Sequence, residues 1–351
     1  MADNSSRHIY DQLGDSPLEV ESDLQRDDQS SDAGGSSNGQ LDDSTPEEDG
    51  ANSNSTKSLS DHVIQVVEEN GRRYCNDTYF MPNDETEQIR LSITHQIYLM
   101  LLEGQLTKIP LPSSTSRILD IGSGTGDWAM AMGEDYPAAE IIATDISVLD
   151  SRAISIGPPN VYFQIDDAEG EWTYTEPFDF IHVRGLGGAI ASWSDFYRQV
   201  YHHLKPGGIL QIADTDFTAN SLNLSNSAPN SYLSILTAAV HSASEVSGYP
   251  RNLNHLALAT LTEAGFVDVR TFDIQAPIGT WPEDPRDKTL GKMALIVLLE
   301  GIEASSMRLL TKYIGWSADE VIDLCEKVKA ELVSNDGMTG SVRLVVAKKP
   351  L

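Results

Sequence analysis

Arg117-Ile118-Leu119-Asp120-Ile121-Gly122-Ser123-Gly124-Thr125-Gly126-Asp127-Trp128-Ala129-Met130 is the stretch whose reading decides the fold. A short apolar run of strand character passes directly into three alternating glycines and then into residues that begin a helix. Glycine is needed where backbone turns tightly or comes close to a ligand, because a Cβ would obstruct either. Strand, glycine turn and helix in that order open the nucleotide site of a doubly wound α/β sheet. The spacing is G-x-G-x-G rather than G-x-G-x-x-G. That points to a nucleoside-bearing ligand with no pyrophosphate to place on the helix N-terminus. A second apolar run, Ala139–Thr144, ends in Asp145, 19 residues beyond Gly126. Such a fold carries there the carboxylate that accepts from ribose hydroxyls. The other role open to Asp145 is to cap the helix that follows.

Working outward, strands are expected near 117–121, 140–145, 160–165, 178–183 and 208–213, with helices or helical turns between them. Pro158-Pro159 marks the entry to the third strand, and Lys205-Pro206-Gly207-Gly208 stops a helix before the fifth. This alternation implies a mostly parallel sheet with right-handed crossovers. A helix near 254–264 and a strand near 266–274 continue it. Upstream, Asn70-Gly71-Arg72 reads as a turn. A helix follows from about Asp84 to Glu103, with Ile89, Ile93, Ile97 and Leu101 on one face and Gly104 at its end. Two stretches depart from the alternation: 216–250, a polar loop and then a helix near 232–246, and 282–337, with one or two helices. The last of these opens on the capping box Ser317-Ala318-Asp319-Glu320. A late strand is expected at 341–348. Returning it to the sheet makes 57–351 one domain, in which the segment 57–105 and the two insertions cap a core at 115–275.

The net charge of −29 argues against a nucleic-acid partner, since phosphate binding needs clustered Lys and Arg. Part of it is local: residues 1–56 carry 14 acids against Arg7 and Arg26. With no apolar periodicity, that segment is expected to be a disordered acidic tail. Cys75 and Cys325 are the only cysteines, so neither a disulfide framework nor a zinc pair is expected, and no metal site is assigned. The polar N-terminus resembles no targeting peptide. The longest apolar run, Met293–Leu299, is too short for a membrane span, so no membrane partner is expected. The compartment expected is intracellular, cytoplasmic or nuclear.

The ordered set Asp120–Gly126, Asp145, Gln164-Ile165-Asp166-Asp167-Ala168, Phe178–Arg184 and Leu204–Gly208 resembles the motifs of class I S-adenosylmethionine-dependent methyltransferases. Asn70-Gly71-Arg72, Pro82-Asn83-Asp84-Glu85 and Asp166–Trp172 are similar, more narrowly, to the fungal LaeA-like group, which is associated with control or tailoring of secondary metabolism. The resemblance implies a Rossmann-like α/β fold and S-adenosylmethionine as cofactor. It implies that Gly122, Ser123, Gly124 and Gly126 bring backbone to the methionine and ribose parts, with Asp120 acting indirectly on the amine end. Asp145 would take the ribose, and Asp166, Asp167 and Ala168 the adenine. Capping a turn is the alternative role of Asp166 and Asp167. No catalytic residue is assigned. His182 and Arg184, at the end of the fourth strand, are the candidates for facing the transferred methyl. The acceptor expected is a small molecule, in the tailoring of a fungal secondary metabolite. The alternative is a methyltransferase-like regulator acting through protein partners. An NAD enzyme is disfavoured by the glycine spacing.

Overall fold

Asn70 and Gly71 stand at φ 50° and 74°, the pair of positive values that a two-residue hairpin loop of this hand requires. They join β1 (Val67–Glu69) to β2 (Arg72–Tyr74), which pair antiparallel, so the expected turn is a small separate hairpin. The computed structural model describes residues 66–147, 157–215 and 231–351. The tail expected at 1–56 and the polar loop expected before residue 231 lie outside the described residues.

Helix α1 (Glu85–Leu101) is capped by Asp84, whose carboxylate accepts from Glu87 N. It ends where Glu103 and Gly104 take φ 56° and 84°. The face of Ile89, Ile93, Ile97 and Leu101 expected on it is only partly buried. Ile97 is buried, but Ile89 is 63 % exposed, and Glu87, His95 and Tyr98 are inside instead. Glu87 is tolerated there because Arg90 clasps it with two hydrogen bonds of 2.8 and 2.6 Å.

The sheet elements follow in order: β3 (Arg117–Ile121), α2 (Asp127–Asp135), β4 (Glu140–Asp145), β5 (Val161–Ile165) and β6 (Phe178–Arg184). Next come α3 (Trp193–His203) and β7 (Leu204–Thr215). Here β7 begins at Leu204, paired with Phe178, so Lys205-Pro206-Gly207-Gly208 forms an irregularity inside the strand and not a stop before it. Helix α4 (Tyr232–Ser247) then leads to a 3-10 turn (Asn254–Leu256) and α5 (Leu258–Glu263), so the helix expected at 254–264 is broken at Ala257. The chain closes with β8 (Val267–Pro277), α6 (Pro285–Tyr313), α7 (Ala318–Val333) and β9 (Thr339–Lys348). The capping box at Ser317 and Glu320 is formed.

Seven strands make one sheet in the order β5-β4-β3-β6-β7-β9-β8. The first five are parallel, and β9 runs antiparallel between β7 and β8. Alternate strand residues feed two cores. Leu119, Ile181 and Leu210 face α3, while Ile118, Phe180 and Ile209 face α2 with its Trp128 and Met132. Full burial of each such side chain stabilises by about 1.5–3 kcal/mol. With both faces covered, the C-terminal ends of the parallel strands are the rim where open α/β sheets bind ligands.

Candidate functional site

A cavity of about 450 Å3 lies over that rim. Its floor is the ends of β3 to β7, its roof is residues 75–83 with α1, and its far wall is α4 and α6. The roof is pinned from above. Arg308 of α6, fully buried, donates to the carbonyls of Asn76 and Tyr79 at 2.7 and 2.8 Å and pairs with Glu69 at 2.9 Å.

Gly122, Gly124 and Gly126 take φ 70°, 56° and 81°. Packing adds to this at two of them: a Cβ at Gly122 would stand 2.6 Å from Leu186 Cδ2 and displace that side chain, and one at Gly126 would stand 2.6 Å from Phe163 Cε1 in the ring. Gly122, Ser123 and Gly124 line the cavity, whereas Gly126 lies behind the turn as the N-cap of α2. Asp145, at the end of β4, lines it too. Its Oδ2 accepts from Gly124 N at 2.8 Å, and its Oδ1 accepts from Ser147 N and Oγ at 2.9 and 2.8 Å. The carboxylate therefore staples the glycine turn to the neighbouring strand. Burial raises its pKa above the ordinary aspartate value, against the lowering effect of the Ser147 and Gly124 N–H donors.

Asp166, Asp167 and Ala168 lie on the same wall beyond β5. Asp166 accepts from Asp167 N at 2.9 Å and Asp167 from Glu169 N at 3.0 Å, so both do shape the turn that presents them. Asp120 is off the wall, buried, with Oδ1 2.7 Å from His182 Nδ1. His182 is also off the wall, its ring stacked on Trp128 with centroids 3.8 Å apart. Burial lowers the His182 pKa, with Asp120 acting in the opposite sense. Phe180, His182 and Arg184 share one face of β6, and Trp128 covers the first two. Only Arg184, at the strand end, reaches the cavity.

Three groups on the wall have no place in the sequence reading. Asp214, near the end of β7, accepts from Gly187 N at 2.6 Å and Thr215 N at 2.9 Å, with His255 Nε2 3.4 Å away. Like Asp145, it is an acid after an apolar run, so the same rule could have found it. Arg251 lies over the Phe80 ring at 4.7 Å, and burial lowers its pKa to about 10. The Glu87–Arg90 pair comes from α1. Neither carries a local sequence signal, because each is recruited from outside the sheet. Cys75 also lines the cavity, its thiol pushed up to about 11 by burial and so protonated at neutral pH. Among the described residues no cluster of metal-ligating side chains occurs, and no helix is long and apolar enough to cross a membrane.

A family of methyltransferase domains matches residues 95–275. Methyltransferase pytC of Aspergillus terreus is 36% identical over 306 residues, covering 84% of this chain and 92% of that protein. Secondary metabolism regulator LAE1 of Cochliobolus heterostrophus is 34% identical over 274 residues, covering 75% of this chain and 88% of that protein. Among solved structures, phosphoethanolamine N-methyltransferase 2 of Haemonchus contortus in complex with S-adenosyl-L-methionine aligns over 73% of this chain and 53% of that one, with 20% identity and a TM-score of 0.44.

Proposed function

The chain belongs to the methyltransferase-domain family and is an S-adenosylmethionine-dependent methyltransferase, and we propose that its acceptor is a small molecule of fungal secondary metabolism that it tailors. One observation carries the acceptor class: a single cavity joins the acid-lined rim of β3 to β5 to an apolar patch on α4 and α6, partly covered by residues 75–83.

The donor set on the rim fits the cofactor. Ser123, on the cavity wall, has a buried Oγ with no hydrogen-bond partner among the described residues, a hydroxyl left for a polar guest. Gly122 and Gly124 keep the backbone beside it bare. Asp145 would accept from ribose hydroxyls, and a carboxylate of Asp166 or Asp167 from the exocyclic amine, with Ala168 against the ring. Gly126 supports the turn from behind, and Asp120 acts on the amine end only at a distance. When bound, S-adenosylmethionine supplies a methyl group made electrophilic by its sulfonium. The chain's own share is to align the acceptor with that methyl and to exclude water through the pinned roof. His182, under Trp128, takes no part in proton transfer at the cavity in this reading. Arg184 positions a reactant.

The likeness to LAE1 supports a second reading, a regulator that works through protein partners with little small-molecule turnover. Comparative metabolite profiling of cells with and without the gene separates the two. One product family lacking a single methyl is the result expected of a tailoring enzyme. Loss of many unrelated metabolites would sink it in favour of the regulator. Calorimetry with S-adenosylmethionine, S-adenosylhomocysteine and NAD tests the cofactor site itself, where binding of the first two and not of NAD is expected.

A further inference from the structure

Arg184 is a cation on the cavity wall with no contacting anion among the described residues. Its guanidinium carbon lies 4.8 Å from the centre of the Tyr98 ring, and its Nη2 is 3.5 Å from His95 Nδ1. Neither neighbour is charged at neutral pH, since burial pushes the Tyr98 phenol up to about 12 and draws His95 down to about 4. Among the described residues no carboxylate stands within ion-pair distance of Arg184. Arg90, which reaches the same cavity, is clasped by Glu87 at 2.6 and 2.8 Å. Asp120 and Asp127 act on Arg184 only from beyond ion-pair distance. A desolvated guanidinium without a contacting counter-charge is a standing destabilisation that an anionic guest relieves and a neutral one does not.

Along the rim, in the order of the strands, carboxylates stand at β5 and β4, the glycine turn at β3 and Arg184 at β6, while Asp214 at β7 has its carboxylate taken up by Gly187 N and Thr215 N. Carboxylates suit the hydroxyl and amine donors of a nucleoside, while the planar guanidinium fork suits a carboxylate or enolate. The far wall contributes an apolar patch, with Leu233, Leu236 and Val240 from α4 and Val297, Leu298 and Ile302 from α6. We propose that the methyl acceptor is an amphipathic acid, an oxygen anion on a lipophilic skeleton, with Arg184 seating the anion and α4 and α6 holding the skeleton. This deepens the function proposed above and rests on it.

Octanoate is a suitable probe, titrated by calorimetry at neutral pH into the full chain saturated with S-adenosylhomocysteine, with octan-1-ol and octylamine as length-matched controls. Octanoate should saturate with about tenfold or greater preference over octan-1-ol, and octylamine should not bind. Arg184→Gln should abolish the preference. Arg184→Lys, which keeps the charge and covers the case in which the Gln variant does not fold, should retain part of it. Both should hold S-adenosylhomocysteine as the parent does. Octanoate binding no better than octan-1-ol, or a preference that survives Arg184→Gln, overturns the proposal. So does a parallel loss of S-adenosylhomocysteine affinity in Arg184→Gln, which would give the guanidinium to the cofactor's own carboxylate. If the parent chain binds no S-adenosylhomocysteine, the methyltransferase reading itself fails. Octanoate is then titrated into the ligand-free chain, where the same preferences decide the anion seat.

Discussion

Replacing Arg308 by Met should loosen the roof of the cavity and lower the stability of the whole domain. The side chain has no solvent exposure, and its guanidinium carbon lies 3.5 Å from the centre of the Tyr74 ring. Its Nη1 donates to Asn76 O at 2.7 Å and to Tyr79 O at 2.8 Å, and its Nε to Glu69 at 3.0 Å. Each buried carbonyl left without a donor costs about 1–3 kcal/mol. The cation–π contact adds roughly 0.5–2 kcal/mol. Glu69 is a third exposed and can be rehydrated, so its share is discounted to at most about 1 kcal/mol. These terms overlap, and a total of about 3–5 kcal/mol is expected, in line with breaking a buried ion pair. In a domain of this size that lowers Tm by roughly 6–15 °C. Differential scanning calorimetry reads the shift, and limited proteolysis reads cleavage in residues 75–83, which should increase. A variant that melts within about 2 °C of the parent and is cleaved no faster would refute the idea that this arginine pins the roof.

Asp145→Asn should weaken S-adenosylhomocysteine binding by roughly one to two decades, about 1.5–3 kcal/mol. It should also lower Tm by several degrees, because one of Gly124 N and Ser147 N loses its acceptor; unchanged affinity by calorimetry would refute the ribose role. Burial raises the Asp145 pKa. The parent's affinity should therefore begin to fall on acidification at a pH above the ordinary aspartate range, as the carboxylate that accepts from ribose becomes protonated. Gly124→Val forces a β-branched residue to φ 56°, with strain on the order of 1–3 kcal/mol, and should abolish binding in a chain that still folds by circular dichroism. His95 has its pKa lowered from 6.5 to about 4, chiefly by burial. Since the unfolded chain takes up that proton first, stability is full above pH 6.5 and falls as pH drops toward 4, by an amount on the order of 3 kcal/mol that His95→Gln should remove from a urea-melt profile. Ending the chain at Gly340 deletes most of β9, which is paired on both sides. The product should lack a cooperative thermal transition, and a parent-like melt would refute the buried-strand role.

Much of the site was legible because its signals are local. A glycine at positive φ, an acid closing an apolar run and a capping box are each written within a few residues, and backbone sterics and periodicity act over that same range. That is why Gly122, Gly124 and Asp145 could be read from their own surroundings, whereas Ser123, Asp166, Asp167 and Ala168 came from the family resemblance; all seven line one cavity. The same local view cannot tell which residues at the end of β6 face it. His182 and Arg184 are equivalent by periodicity, and only Trp128, arriving from α2, separates them.

The chain by itself determined the order of strands and helices, the glycine turn and the acids that flank it, since those depend on each residue's own conformational range and on short-range hydrogen bonds. The tertiary structure alone decided that β9 enters between β7 and β8, that Ile89 stays outside while Glu87 and His95 go in, and that Arg308 pins a roof 232 residues earlier in the chain at Asn76. It also left Arg184 on the cavity wall with no contacting carboxylate among the described residues. Such outcomes follow from shape and charge matching between surfaces far apart in sequence. A polar group is accepted in the interior only when a distant partner satisfies it, and no local pattern encodes where that partner will be.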